Sequence, residues 1–269
     1  MSRTRPTKVD RLEGPAILAR HKCDGDVLVA EGLVKKFEKG PVIGPISLRI
    51  GSGTVFALIG PNGAGKTTTI RMILGIYRPD AGSVNICGVD PYTKRGAHGL
   101  AAYVPEETAV YPRLTGYEHL WFYAGLYTGN PSEAQRIVEQ AAELSELGEA
   151  LWRRVEEYSK GMKRKLLLAL ALALDTPLLV LDEPTSGLDV YSAVRIRQLI
   201  RQAAREGRAV LVTSHNMLEV ERIADRVAFI ARGRIIDEGH PSDLVSKYSA
   251  RDLEEAFVKA VLPRGTQRE

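Results

Sequence analysis

The chain has 269 residues, with 44% hydrophobic and 26% charged content, ordinary values for a globular protein. Its longest apolar run, Leu166 to Leu174, falls far short of the ~20 residues that cross a bilayer. Two cysteines, Cys23 and Cys87, make neither a disulfide framework nor a metal-ligand spacing, so a reducing, cytoplasmic setting is expected.

The formal net charge of +4 is concentrated at the start of the chain. Arg3, Arg5, Lys8, Arg11, Arg20 and Lys22 face only Asp10 and Glu13 there, and the remainder is formally neutral. A neutral body argues against a nucleic-acid-binding face, which needs clustered cations on the fold. Residues 1–26 are expected to form a basic flexible leader. It is either a solvated segment or a contact for anionic lipid, where each basic residue contributes about 1 kcal/mol. Ala16-Ile17-Leu18-Ala19 is too short for the apolar core of a secretory signal.

The fold proper is expected from Val27. Val27-Leu28-Val29-Ala30 is a predicted strand, and Leu33-Val34-Lys35-Lys36-Phe37 follows it. Ile46 to Ile50 is a second strand, and Gly51-Ser52-Gly53 turns into a third, the fully apolar Val55-Phe56-Ala57-Leu58-Ile59. Next comes Gly60-Pro61-Asn62-Gly63-Ala64-Gly65-Lys66-Thr67-Thr68, which fits G-x-x-x-x-G-K-[ST]. Thr69 to Leu74 continues it as a helix, so the strand–loop–helix context of a phosphate-binding loop is present. The glycines let successive N–H groups turn inward as an anion-binding concavity. The helix start adds unpaired donors and the positive end of a dipole. Lys66 supplies a point charge for the β- and γ-phosphates, and Thr67 offers a hydroxyl to Mg²⁺, a hard cation that takes oxygen ligands.

Ser83 to Ile86 and Ala101 to Val104 are further short strands, the second ending at Pro105-Glu106-Glu107. Thr115-Gly116-Tyr117-Glu118 has capping-box spacing, and Asn130-Pro131-Ser132-Glu133 opens another helix with a cap and a proline in the first turn. The segment from about 108 to 157 is therefore helical, without strands. Ser159 fits the N-cap of the next helix, which runs through Leu174. Leu178-Leu179-Val180-Leu181 is a buried strand that delivers Asp182-Glu183-Pro184 at its carboxyl end, where open α/β sheets bind ligands. After the loop Ser186-Gly187-Leu188-Asp189, a helix reaches about Glu206. The strand Ala209 to Thr213 delivers Ser214-His215, and a helix follows around Met217 to Ala224. A hairpin turns at Gly233, and short helices from Pro241 to about Val261 precede a frayed end.

Together these motifs, over about 27 to 240, resemble the ATP-binding subunit of an ABC transporter. The resemblance implies an α/β fold: a P-loop NTPase core of the ABC ATPase kind, with a β subdomain and a helical insertion subdomain at about 108–157. The ATP-binding domain would span 27–240, and 241–269 would be a short C-terminal helical extension. ATP and Mg²⁺ are the implied cofactors. Gly60 to Thr68 (Gly60, Pro61, Asn62, Gly63, Ala64, Gly65, Lys66, Thr67, Thr68) would hold the phosphates. Phe37 falls on the adenine-stacking position, although an aromatic there also suits the core. Thr67, Glu106 and Asp182 would face the metal, Glu183 would orient and deprotonate the attacking water, and His215 would contact the γ-phosphate.

The signature usually written LSGGQ is Tyr158-Ser159-Lys160-Gly161-Met162 here. In the family it reaches the nucleotide of a second subunit, which implies a head-to-tail homodimer, or a pair with another ATPase subunit, with Ser159, Lys160, Gly161, Met162, Ser186 and Asp189 at the shared nucleotide. Two departures stand out: Glu106 replaces the usual Gln, and Lys160 and Met162 replace Gly and Gln. Both resemble the ABC-2-type exporter branch, which includes drug- and sodium-efflux subunits. The implied partner is a separate membrane-spanning permease, with the chain peripheral at the cytoplasmic face of the cell membrane. The alternatives are a soluble ABC-type ATPase acting on nucleic acid or ribosomes, which usually has two ATPase domains or a long coiled coil, and a GTP-dependent switch, for which no guanine-reading motif is present.

Overall fold

A computed structural model describes residues 23, 25–93, 99–107 and 110–262. Nearly all of the expected leader, and the frayed end at 263–269, lie outside the described residues.

The chain builds two sheets. Three strands, β1 (Asp26–Lys35), β2 (Ile43–Gly51) and β4 (Ala81–Ile86), form an antiparallel sheet in the order β2-β1-β4. The other six are β3 (Val55–Ile59), β5 (Ala101–Val104), β6 (Leu178–Asp182), β7 (Ala209–Ser214), β8 (Arg226–Ala231) and β9 (Arg234–Gly239), in the order β5-β6-β7-β3-β8-β9. All neighbours in this larger sheet are parallel except β8 and β9, joined as a hairpin through Arg232 and Gly233 at positive φ.

Burial follows the sequence pattern. β2 alternates Ile46, Leu48 and Ile50 inward with polar residues outward, the period of a sheet with one solvated face. The continuous apolar runs of β3, β6 and β7 are buried along their whole length, as central parallel strands must be. One apolar cluster joins the two sheets, drawing Leu28, Ile46 and Ile50 together with Phe56, Val180 and Leu211.

β1 is one strand through Lys35, with a register shift between Ala30 and Leu33, so Phe37 lies beyond its end. α1 (Lys66–Ile73) follows β3. Between β5 and β6 come α2 (Gly116–Thr128), α3 (Pro131–Ser145) and two 3₁₀ turns, Gly148–Trp152 and Val155–Glu157, that the periodicity did not suggest. The only β pairing among the described residues there is a single bridge between Thr115 and Arg154. Thr115 caps α2 reciprocally with Glu118, and Asn130 caps α3. Ser159 accepts from the Met162 N–H at the start of α4 (Lys160–Ala173). α5 (Val190–Arg205), α6 (Met217–Ile223), α7 (Pro241–Lys247) and α8 (Leu253–Val261) complete the chain. Leu244, Leu253 and Ala256 pack with Phe229 and Val220, so the final helices share the core.

The cysteines depart from the expectation. Cys23 and Cys87 are disulfide-bonded, their Cα atoms 5.4 Å apart. The Cys87 N–H donates to the Val27 carbonyl and carries the β1–β4 ladder one step further, which brings Cys87 beside the start of β1. A structural disulfide belongs to an oxidising setting in most organisms, so the bond runs against the reducing one expected.

Candidate active site

The phosphate-loop motif lies between the end of β3 and the start of α1. Gly60 has no alternative: a Cβ there would sit 2.1 Å from the Ile230 carbonyl oxygen of β8. Gly65 caps α1 in the left-handed region at φ 109°, where a side chain would be strained. The loop closes with a hydrogen bond from the Ala64 N–H to the Pro61 carbonyl, 3.1 Å. Lys66 is buried, and its Nζ donates to the carbonyls of Gly60 (2.7 Å) and Pro61 (3.3 Å). The ammonium is thus held against its own loop. A cleft of about 380 Å³ opens here, lined by Pro61, Asn62, Gly63, Gly65, Lys66, Thr67 and Thr68. Phe37 and Glu106 stand on the same cleft. Phe37 is 38% exposed and meets Tyr77 edge-to-face, so it is a rim residue and not part of the core.

The strand ends bring the acidic pair to the loop. Asp182 is the last residue of β6, paired in register with Thr213 of β7. Its Oδ2 accepts from Thr67 Oγ1 at 3.1 Å, and its Oδ1 accepts from Thr213 Oγ1. Thr67, Asp182 and Glu106 offer only oxygen donors, the chemistry Mg²⁺ requires, and the Thr67–Asp182 contact places two of them together. The residues therefore fit the metal implied by the sequence.

Glu183 leaves the strand with φ 51°, a conformation uncommon for a side-chain-bearing residue. Its N–H donates to both the carbonyl and the hydroxyl of Thr213, which holds the turn. The carboxylate is buried and meets His215 Nδ1 at 2.9 Å. Burial pushes the Glu183 carboxyl above its usual range, against the pull of His215 and Lys66. Glu183, Ser186, Gly187, Ser214 and His215 line a second cleft of about 320 Å³.

The signature residues lie apart from the loop cleft. Ser159 to Met162 open α4, and among the described residues none of them lines either cleft. They adjoin the 186–189 loop instead: a Cβ on Gly187 would touch the Lys160 side chain, and one on Gly161 would touch Leu188. Asp189 caps α5, accepting from the Ser192 N–H and hydroxyl, and those bonds hold its carboxyl below the usual range.

Three participants escape sequence reasoning. Thr213 ties Asp182 to Glu183, a role visible only once β6 and β7 are adjacent. Glu219 of α6 pairs with Arg197 of α5 at 2.7 Å and accepts from the Thr185 hydroxyl, locking the 184–186 turn to the helix after His215. Arg164 of α4 is completely buried among charge-bearing loops, although it stands in a Lys-Arg-Lys run that looks solvated.

Comparison with known proteins agrees with this geometry. A family model described as ABC transporter matches residues 43–186. The Nod factor export ATP-binding protein I of Rhizobium etli is 37% identical over 224 residues, 83% of this chain and 71% of that protein. The linearmycin resistance ATP-binding protein LnrL of Bacillus subtilis is 35% identical over 245 residues, 87% and 78% of the two chains. A solved structure of the ATP-binding subunit of an ABC transporter superposes with a TM-score of 0.79 at 29% identity, covering 88% of this chain and all of that one. With a phosphate loop, a strand-end acid on its threonine and a buried glutamate held by histidine, this chain belongs to the ABC transporter family and is an ATPase.

Proposed function

We propose that the chain is the ATP-hydrolysing subunit of an exporter: two ATPase subunits close on Mg²⁺ and ATP and drive a separate membrane permease of the ABC-2 type. The observation that carries the reading is the buried Glu183 carboxylate held by His215 at 2.9 Å, one residue from the Thr67–Asp182 contact. Phosphoryl transfer to water needs positioning and one group to take a proton. Glu183 takes that proton, and His215 fixes the carboxylate's direction through Nδ1. Lys66, drawn off the Gly60 and Pro61 carbonyls, binds phosphate oxygens with the loop N–H groups. Thr67, Asp182 and Glu106 would hold Mg²⁺, which when bound supplies charge neutralisation at the β- and γ-oxygens.

Export is supported by the curated relatives, whose names specify Nod factor export and linearmycin resistance. The working unit is taken as residues 27–240, with the helices inside 108–157 as its permease-facing arm. No described helix is long and apolar enough to cross a membrane, and the proposal assigns the pathway to a partner. The arm exposes Tyr111, Phe122 and Leu126, and an apolar cleft of about 410 Å³ runs between it, Tyr103 and Pro105, next to Glu106. A permease segment seated there would press on the residue before the metal side. The chain would then sit peripherally at the cytoplasmic face of the membrane, a placement that follows from the family and against which the Cys23–Cys87 disulfide stands.

Cross-linking tests this. Arg113→Cys, in a background with both native cysteines replaced by Ser, is co-expressed with a candidate six-span permease chosen from the genes that neighbour its own. A heterodimeric cross-link at 113, absent from an α5 control at Arg205→Cys, is expected. Equal capture at both positions, or none at 113 with the permease present in the same membranes, would refute the docking face.

A further inference from the structure

Arg164 is completely buried and forms no ion pair with a carboxylate among the described residues, although three acidic side chains act on it electrostatically. Its Nη1 donates to the carbonyls of Pro105 (2.7 Å) and Asp182 (3.4 Å), and its Nη2 donates to the carbonyl of Glu106 (2.5 Å). Its Nε finds no acceptor among the described residues. The negative groups within electrostatic reach are the side chains of Glu106, Asp182 and Glu183. A buried cation is costly and is retained where it does something a well-packed apolar residue would not.

The guanidinium grips backbone carbonyls and occupies neither the Glu106 nor the Asp182 carboxylate; the Asp182 oxygens meet the Thr67 and Thr213 hydroxyls instead. It spans two loops that meet nowhere in sequence: the turn after β5 and the end of β6. It stands just past the first turn of α4, the helix that Ser159 caps. A single rigid fork therefore connects the Glu106 loop, the Asp182 strand end and the signature helix. Lysine could not do the same, since its point charge cannot hold two carbonyls in one plane.

We propose that Arg164 is a positioning residue for the ATPase reaction, setting Glu106 and Asp182 in register for the divalent cation and tying that register to the helix that begins at Ser159. This rests on the reading of Asp182 as a metal-side group. When α4 moves, the Arg164 fork carries the Glu106 loop and the Asp182 end with it.

The test is Mn²⁺ binding by electron paramagnetic resonance, in the presence of a non-hydrolysable ATP analogue, on wild type, Asp182→Asn and Arg164→Lys. Thermal melts establish that each variant is folded. Asp182→Asn is expected to lose the bound Mn²⁺ signal. Arg164→Lys is expected to weaken Mn²⁺ binding roughly 10-fold, the lower end for supporting partners of a metal site. Its metal-free affinity for a fluorescent ATP analogue should stay within about twofold of wild type. If Asp182→Asn binds Mn²⁺ normally, the metal-side reading fails. If Asp182→Asn loses Mn²⁺ while folded Arg164→Lys binds it like wild type, the role of Arg164 fails and that reading stands. An equal fall in metal-free nucleotide affinity would also overturn the proposal, because general loosening moves both. Should Arg164→Lys not fold, hydrogen exchange on wild type decides. Segments 103–107 and 160–165 should gain protection at one Mn²⁺ midpoint, and separate midpoints would refute the linkage.

Discussion

Lys66 directs two ammonium hydrogen bonds at the Gly60 and Pro61 carbonyls of the loop it serves. This keeps a buried ammonium satisfied and aims it at the cleft where phosphate oxygens would replace those carbonyls. Lys66→Ala removes the cation without touching the strand or the helix. ATP hydrolysis, followed as phosphate release, should fall roughly 10²–10³-fold, the cost of losing one preorganised charge stabiliser. Wild-type turnover in that variant would detach the loop from catalysis. Residues whose chemistry restricts their type were legible in the sequence: the loop glycines, Lys66, Thr67, Asp182 and Glu183 can be little else at that spacing. Arg164 was not, because Lys163-Arg164-Lys165 has the composition of a solvated helix face, and only packing between β5, β6 and α4 puts its middle member inside. The left-handed backbone of Glu183 and the linking hydroxyl of Thr213 were equally hidden, since both depend on which strand lies next to β6.

At the scale of elements, α2 shows both sides of this. Its start was legible, because Thr115 and Glu118 satisfy each other's backbone donors and nothing distant is involved. Its buried face holds a residue that periodicity does not mark. His119 is fully buried between the rings of Tyr111 and Tyr123, and neither ring nitrogen has a partner among the described residues. Burial pushes its pKa down from 6.5 to about 4. The folded state therefore holds the ring neutral while the unfolded chain takes up a proton below pH 6.5. With the folded pKa depressed, this stability is present above pH 6.5 and is lost as pH falls towards 4. Between pH 7 and pH 5 the loss should be about 2 kcal/mol. Urea unfolding at both pH values measures it, and His119→Phe should remove most of the pH dependence. An unchanged slope in His119→Phe would assign the acid sensitivity to other groups. The disulfide belongs to the same scale: Cys23 and Cys87 are 64 residues apart, and only the β2-β1-β4 order makes them neighbours.

Over the whole molecule, the phosphate-loop cleft and the signature residues lie apart. The phosphate loop and Glu106 form one cleft, whereas Ser159 and Gly161 adjoin the 186–189 loop outside it. The start of α4, where Ser159 caps the Met162 N–H, still suits an anion, and the proposed dimer would bring it the nucleotide of a second copy. Val190 and Tyr191, directly after that loop, are 81% and 74% exposed, which gives such a contact an apolar component. Glu183→Gln tests the arrangement because it separates binding from hydrolysis. The amide keeps the size of the side chain but accepts no proton, so turnover should drop roughly 10²-fold or more. Lys66, Thr67 and the loop amides remain, so nucleotide still binds. Removing a negative charge near the shared face also favours closure. Gel filtration of Glu183→Gln with Mg²⁺ and ATP should therefore move the protein from monomer to dimer. ADP should not do so, nor should a folded Glu183→Gln, Ser159→Arg double variant. Normal turnover would remove Glu183 from the role of base. Slow turnover by a protein that stays monomeric would leave the base in place and overturn the two-copy site, because Ser159 would then have no nucleotide to meet.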